Sequence, residues 1–108
     1  MTVATVNAST EDGSVRIRLS GEIDRANAPV IEEEILAAVT GQPTAVSVDL
    51  TNLTYIDSVG IRMLFDLVAN LQESHIPLEL ISPFDSPARR LIEFSGLDSL
   101  VTLHPACN

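Results

Sequence analysis

The residues of this chain best placed to do chemistry are Asp57 and Ser58, a carboxylate and a hydroxyl at a predicted junction between a strand and a helix. Asp57 occupies a helix N-cap position, where its side chain would accept hydrogen bonds from first-turn amides, so Ser58 becomes the first helical residue and faces outward. A phosphoryl group on Ser58 would bring about −1.5 to −2 charges to the positive end of the helix, close to Asp57. This change would alter binding without unfolding the domain, so the pair is typical of a switch.

The sequence does not favour Ser58 as a catalytic nucleophile. Such a serine needs a base within hydrogen-bonding reach, and the two histidines, His75 and His104, fall at predicted element ends remote from it. Ser58 also lacks the Gly-x-Ser-x-Gly elbow of hydrolases, and the sequence contains no glycine-rich phosphate loop and no Cys/His metal spacing. We therefore expect a protein that is not an enzyme, with no catalytic residue, no metal site and no cofactor of its own.

Composition limits the class of protein and its partners. A length of 108 residues with 45% hydrophobic residues predicts one domain spanning residues 1–108. A formal net charge of −9 argues against direct nucleic-acid binding. No apolar run approaches the ~18 residues that span a bilayer, and the N-terminus lacks the basic segment of a secretion signal, so we expect no membrane insertion and a cytoplasmic protein. Cys107 is the single cysteine, which excludes an internal disulfide.

Hydrophobic periodicity predicts the elements that position Asp57 and Ser58. Weak alternation over residues 3–8 and clear alternation over residues 15–19 predict two strands joined by a turn at residues 11–13 as an antiparallel hairpin. Three further strands are predicted at residues 45–50, 77–81 and 100–103, with a short turn between the first of these and Asp57. Strands alternating with helices after a hairpin predict an α/β fold, in which a mixed sheet with parallel crossovers packs against helices.

Three predicted helices separate these strands. The first has Pro29 in its opening turn and three glutamates expected at its positive end, Glu32, Glu33 and Glu34. The second follows Asp57 and presents an apolar stripe at helical spacing, formed by Ile61, Leu64, Phe65, Val68 and Leu71. The third has Ser86 as its N-cap, Pro87 at its first position and Gly96 after its end.

Two motifs in the chain resemble the STAS family, in its bacterial branch of anti-sigma factor antagonists. In that pattern a hydrophobic strand ends in Asp, an aromatic or apolar pair follows, and Asp-Ser-x-Gly opens a helix. The matching residues here are Asp49, Tyr55, Ile56, Asp57, Ser58 and Gly60. A second element, Gly-x-hydrophobic-Asp, is matched by Gly21, Glu22, Ile23 and Asp24. Val59 stands where many relatives carry a second Ser or Thr, which leaves Ser58 as the hydroxyl acceptor of the motif.

The resemblance implies a partner-switching regulator of transcription. The unphosphorylated form would bind a cognate anti-sigma factor, which is also an ATP-dependent serine kinase, and so free a sigma factor. Phosphorylation of Ser58 by that kinase would end the binding, and a metal-dependent serine phosphatase would restore it. The ATP and Mg²⁺ would belong to these partners and not to this chain.

The expected partner-binding residues surround the phosphorylation site: Glu22, Asp24, Asp57, Ser58, Val59, Gly60 and Arg62. Three of them have structural interpretations as well. Asp24 is equally suited to capping a turn before the first helix, and Gly60 to close packing against the sheet. Arg62 is more simply a solvated ion pair with Asp66, four residues on.

Two other functions for the same fold remain open at this point. The chain could be an accessory subunit of a membrane transporter or lipid-transport complex that is never phosphorylated, or a module that binds a small ligand or nucleotide. The intact Asp57-Ser58 pair and the lack of a fused membrane segment favour the antagonist.

Overall fold

The computed structural model describes residues 3–106 and confirms the predicted α/β fold; Cys107 lies outside the described residues. The elements in chain order are strands β1 (Ala4–Glu11) and β2 (Ser14–Ile23), helix α1 (Ala28–Ala38), strand β3 (Ala45–Ile56), helix α2 (Ser58–Glu73), strand β4 (Leu78–Ile81), helix α3 (Pro87–Ser95), a 3-10 turn (Leu97–Ser99) and strand β5 (Thr102–His104).

The five strands form one mixed sheet in the order β1-β2-β3-β4-β5. β1 and β2 pair antiparallel as the predicted hairpin, and each later strand lies parallel to the one before it. Because parallel crossovers are right-handed and each connects neighbouring strands in the same direction, the helices cover one face of the sheet. That face is apolar and buried, whereas the opposite face carries polar side chains, among them Arg16, Ser47 and Glu79.

Strand β3 is twice as long as predicted, and no turn separates it from Asp57. It continues to Ile56 because it carries two β-bulges against β2: Arg18 pairs with Asp49 but Ser20 pairs with Asn52, and a second shift follows at Gly21. Each bulge adds one residue to β3 and reverses the direction of the next side chain. Its buried side chains are therefore two apart at first and three apart later: Val46, Val48, Leu50, Leu53 and Ile56.

Other differences from the sequence predictions concern the ends and faces of helices. α1 begins at Ala28, so Glu32 to Glu34 fall in its second turn, and the prediction that they lie at its positive end is wrong. In α2 Phe65 is only half-buried, at the edge of the core, whereas Met63 and Leu67, which the predicted stripe leaves out, are buried. The last strand begins two residues later than predicted, because the 3-10 turn follows Gly96 directly.

Gly21 allows β1 to approach the end of β2 closely. β2 extends to Ile23, beyond the predicted residue 19, so Gly21 and Glu22 lie within the strand. Gly21 has φ +94°, and a Cβ atom there would lie 2.4 Å from the carbonyl oxygen of Val3. The amide of Glu22 donates to that same oxygen at 2.9 Å. Only a residue without Cβ fits this position, both for its backbone angle and for its neighbour.

We expect Gly21→Ala to destabilise the domain by at least about 2 kcal/mol, since it adds a backbone clash to an unfavourable φ. Gly41→Ala is the matched control, because Gly41 also has positive φ, +74°, but an added Cβ meets nothing within 4 Å. The control should cost only about 1 kcal/mol. Urea unfolding of both variants measures the difference, and equal losses would show that the contact with Val3 is unimportant.

Candidate functional site

The site lies where β2 and β3 end at the same edge of the sheet. Ile23 and Ile56 are paired in the last step of the parallel ladder, and the amide of Asp57 donates to the carbonyl oxygen of Ile23 at 3.2 Å. The residues that follow the two strands, Asp24 and Asp57, therefore lie side by side. This is the carboxyl edge of the parallel strands, where open α/β sheets commonly place their ligand sites.

Asp57 caps α2 as predicted. Its backbone is extended, with φ −106° and ψ −173°, and its Oδ1 atom accepts from the amides of Val59 and Gly60, both at 3.0 Å. The carbonyl oxygen of Asp57 accepts from the amide of Ile61 at 3.0 Å, which starts the regular helix. An N-cap of this kind stabilises a helix by about 1 kcal/mol. Asp57 thereby fixes the direction in which the next residue points.

Ser58 is the first residue of α2, and its side chain is exposed. Its hydroxyl makes no hydrogen bond to any residue between 3 and 106. The residue beside it, Val59, is half-buried against the core. The hydroxyl of Ser58 is therefore accessible and uncommitted, as an acceptor of a phosphoryl group must be.

The histidines are not placed to activate Ser58. His75 follows the last turn of α2, and a helix of 16 residues separates it from Ser58 by about 24 Å. His104 ends β5, where its Nε2 atom lies 3.6 Å from Oε1 of Glu79. Within residues 3–106, no cluster of three His, Cys, Asp or Glu side chains could hold a metal ion. In the same range, no helix is both long and apolar enough to cross a membrane.

Gly60 packs the start of α2 against the ends of β2 and β3. It is buried, and a Cβ atom there would lie 2.6 Å from Cγ1 of Ile56 and 3.1 Å from Cγ2 of Ile23. Any side chain at position 60 would therefore point into the core and clash there, so close packing accounts for the glycine. Any contact of Gly60 with a partner stays a prediction.

Asp24 organises the turn that leads into α1. Its Oδ1 atom accepts from the amide of Ala26 at 2.8 Å, and its carbonyl oxygen accepts from the amide of Ala28 at 2.9 Å. Its own amide donates to Oδ1 of Asn27 at 3.0 Å. The turn-capping interpretation is therefore correct for Asp24, while partner binding by Asp24 and by the exposed Glu22 stays a prediction.

Arg62 is exposed on the second turn of α2 but does not form the expected ion pair with Asp66. In residues 3–106 the side-chain ion pairs within 4 Å are Arg89 with Glu93 and His104 with Glu79. Asp66 instead influences Glu32 across the α1–α2 contact. Burial raises the pKa of Glu32, and the negative charge of Asp66 raises it further. Glu32, Arg62 and Asp66 nevertheless lie close together, around one small pocket between α1 and α2.

An apolar groove between α2 and α3 is a feature that the sequence reasoning missed. It has a volume of about 520 Å³, with apolar walls formed by Ile61 and Phe65 from α2 and by Leu91 and Phe94 from α3. Ser58 also lines it. The available signal was Phe94, a large aromatic residue two positions after Ile92 and therefore away from the face of α3 that Ile92 buries.

Comparison with known proteins agrees with the fold. A family model described as "Mlab, STAS domain" matches residues 6–102. The anti-sigma-F factor antagonist RsfB of Mycobacterium tuberculosis is 31% identical over 106 residues, which covers 94% of this chain and 85% of RsfB.

Two solved structures extend the comparison. An anti-sigma factor antagonist from Mycobacterium paratuberculosis superposes with a TM-score of 0.79 at 29% identity, covering 96% of this chain and 87% of that one. The Bacillus cell fate determinant SpoIIAA in its phosphorylated form superposes with a TM-score of 0.68 at 25% identity, covering 92% and 90%.

Replacing Gly60 by alanine should destabilise the domain by about 1–3 kcal/mol, the usual cost of an overpacked core. On helix propensity alone the same change would stabilise by about 1 kcal/mol, so the sign of the effect tests the packing. Truncating the neighbour in Gly60→Ala/Ile56→Ala should cost less than the sum of the two single changes. Denaturant unfolding gives all three values, and strict additivity would contradict the contact.

Glu32→Gln should stabilise the protein slightly at pH 7, because it removes a charge that burial and Asp66 both disfavour. The pKa of Glu32 is raised above 4.5, so the folded state holds that proton more tightly than the unfolded state. The stabilisation that comes from this bound proton is complete below the pKa of Glu32 in the unfolded state. It is lost as the pH rises through the pKa of Glu32 in the folded state. The gain from Glu32→Gln should therefore vanish near pH 4 in thermal unfolding. The exposed Glu33→Gln serves as the control, and a gain independent of pH would refute this explanation.

Proposed function

This chain belongs to the STAS domain family, and we propose that it is an anti-sigma factor antagonist regulated at Ser58. In its unphosphorylated form it binds a cognate anti-sigma factor in the cytoplasm and so releases a sigma factor for transcription. The anti-sigma factor is also a serine kinase, and it uses its own ATP and Mg²⁺ to phosphorylate Ser58. Phosphorylation ends the binding, and a serine phosphatase reverses it.

The observation that carries this proposal is the exposed, uncommitted hydroxyl of Ser58 at the first position of a capped helix. A kinase must reach its acceptor hydroxyl without unfolding the domain, and Ser58 meets that condition. The chain's similarity to RsfB over 94% of its length supports the choice of partner class. The phosphorylated structure of SpoIIAA, similar over 92% of this chain, supports phosphorylation as the form of control.

The cap explains how a phosphoryl group on Ser58 would act. Helix N-termini often bind phosphate through their free amides, but here Asp57 already occupies the amides of Val59 and Gly60. A phosphate on Ser58 would therefore not be held by these amides, and it would project from the surface beside the Asp57 carboxylate. A partner docked over Ser58 would then have to desolvate a dianion next to another negative charge.

The energy that such a switch needs is modest. A loss of about 3 kcal/mol weakens binding by roughly a hundredfold. Burying an unpaired charge in an interface costs at least this much unless the partner supplies a cation. Local repulsion and desolvation at Ser58 are therefore sufficient, and no conformational change of the domain is required.

Purified chain incubated with a candidate anti-sigma kinase and Mg-ATP should gain one phosphate, located on Ser58 by peptide mass spectrometry. Ser58→Ala should gain none and should bind the kinase as tightly as the unphosphorylated protein. Ser58→Glu should bind more weakly, although by less than the phosphorylated protein because it carries a smaller charge. Ser74→Ala is the matched control, since Ser74 is a second exposed serine, at the opposite end of α2, and this variant should still gain its phosphate on Ser58.

Three outcomes would change the proposal. Phosphate on a residue other than Ser58 would move the regulatory site. Tight binding with no phosphate would make the chain a constitutive antagonist. If no kinase-type anti-sigma factor of the organism binds or modifies the chain, the proposal is wrong, and an accessory subunit of a transporter becomes the better interpretation.

A further inference from the structure

The groove between α2 and α3 exposes more apolar surface than the fold requires. Phe94 is 92% exposed and contributes almost nothing to the core, yet it stands on the groove wall opposite Ile61 and Phe65. An exposed aromatic side chain on the wall of an apolar groove is the kind of anchor that protein interfaces use. Ser58, the proposed phosphorylation site, lies at the first turn of α2 and also lines this groove.

The shape and chemistry of the groove favour a helix as its occupant. Its walls are side-chain ridges of two helices, with Ile61 and Phe65 four residues apart and Leu91 and Phe94 three apart. A third helix with apolar side chains at the same spacing would place its ridge between them. A nucleotide or another polar ligand would need donors that converge in the cavity, whereas among residues 3–106 the groove has apolar walls with Ser58, Arg62, Asp66 and Ser95 beside them.

Charge at the rim indicates a basic flank on that helix. Asp66 lines the groove, and Glu32 stands close behind it on α1, where Asp66 contributes to the raised pKa of Glu32. The two carboxylates repel each other. Arg62 lines the same rim without forming an ion pair with either of them, so the three side chains together leave a net negative charge there. A Lys or Arg from a partner would relieve this repulsion, and the net charge of −9 would help to attract a basic partner.

We infer that the α2–α3 groove is the docking site for an amphipathic helix of the anti-sigma factor, with apolar residues against Phe65 and Phe94 and a basic residue beside Asp66. This inference rests on the proposed function and adds the part of the surface that supplies the affinity. Ser58 lies at the end of the groove, so a phosphoryl group added there meets the docked helix directly.

The test compares variants of the full chain in calorimetric binding to the anti-sigma kinase that phosphorylates Ser58. Phe94→Ala should weaken binding at least roughly tenfold, as expected for an aromatic anchor, and adding Phe65→Ala should weaken it further. Leu100→Ala is the matched control: Leu100 is an exposed apolar residue just before β5, at the opposite end of the sheet from Ser58. It should bind as the unchanged protein does. Asp66→Lys should weaken binding more than Glu73→Lys, which reverses a charge at the far end of α2.

The outcomes separate this inference from the proposed function. If the unchanged protein binds and is phosphorylated but Phe94→Ala and Phe65→Ala bind equally well, the groove is not the docking site and the proposed function stands. If binding weakens equally in Leu100→Ala, the effect is nonspecific and the inference is wrong. If no kinase-type anti-sigma factor of the organism binds the unchanged protein, both fail together. Thermal unfolding of Phe94→Ala should match the unchanged protein, because so exposed a ring adds little stability.

Discussion

The whole site depends on how β2 and β3 finish together. Their parallel ladder ends with Ile23 beside Ile56, and β3 reaches that pairing only because it contains two more residues than the stretch of β2 that it follows. With either bulge missing, the alternation of β3 would turn the wrong side chains toward the helices. The position of Asp57, the entry angle of α2 and the close contact at Gly60 all follow from this register. The geometry of the helix start is thus set by strand pairing as much as by the helix itself.

Much of the fold was predictable from local patterns. The hairpin, the alternation of strands and helices, the Asp57 cap and the Ser86 cap each follow from signals within a few residues. The two bulges could not be predicted in this way. The spacing of buried residues in β3 changes from two to three, and this change can be interpreted only when the pairing with β2 is known. The same limit explains Arg62, whose pairing with Asp66 is suggested by helical spacing but is not formed. Glu32, from another helix, is what Asp66 influences.

The candidate site also has one part that was predictable from local sequence and one part that was not. Asp57 and Ser58 were predictable because capping chemistry is local, and their neighbours in the family motif reinforce the assignment. The groove was not predictable, since its two walls come from helices about thirty residues apart and only their packing places Phe65 opposite Phe94. A surface made by tertiary contact leaves only an indirect trace in sequence, here an aromatic residue that the core does not use.

The sheet is covered by helices on one side only, and its other side bears polar residues such as Arg16, Ser47 and Glu79. These three side chains belong neither to the buried core nor to the start of α2, so substitutions of them should leave the fold and the proposed switch intact. Paralogues within one cell could diverge there without losing the ability to fold or to switch. The same side offers a place to attach a fluorophore or an affinity tag that leaves the helical face unobstructed.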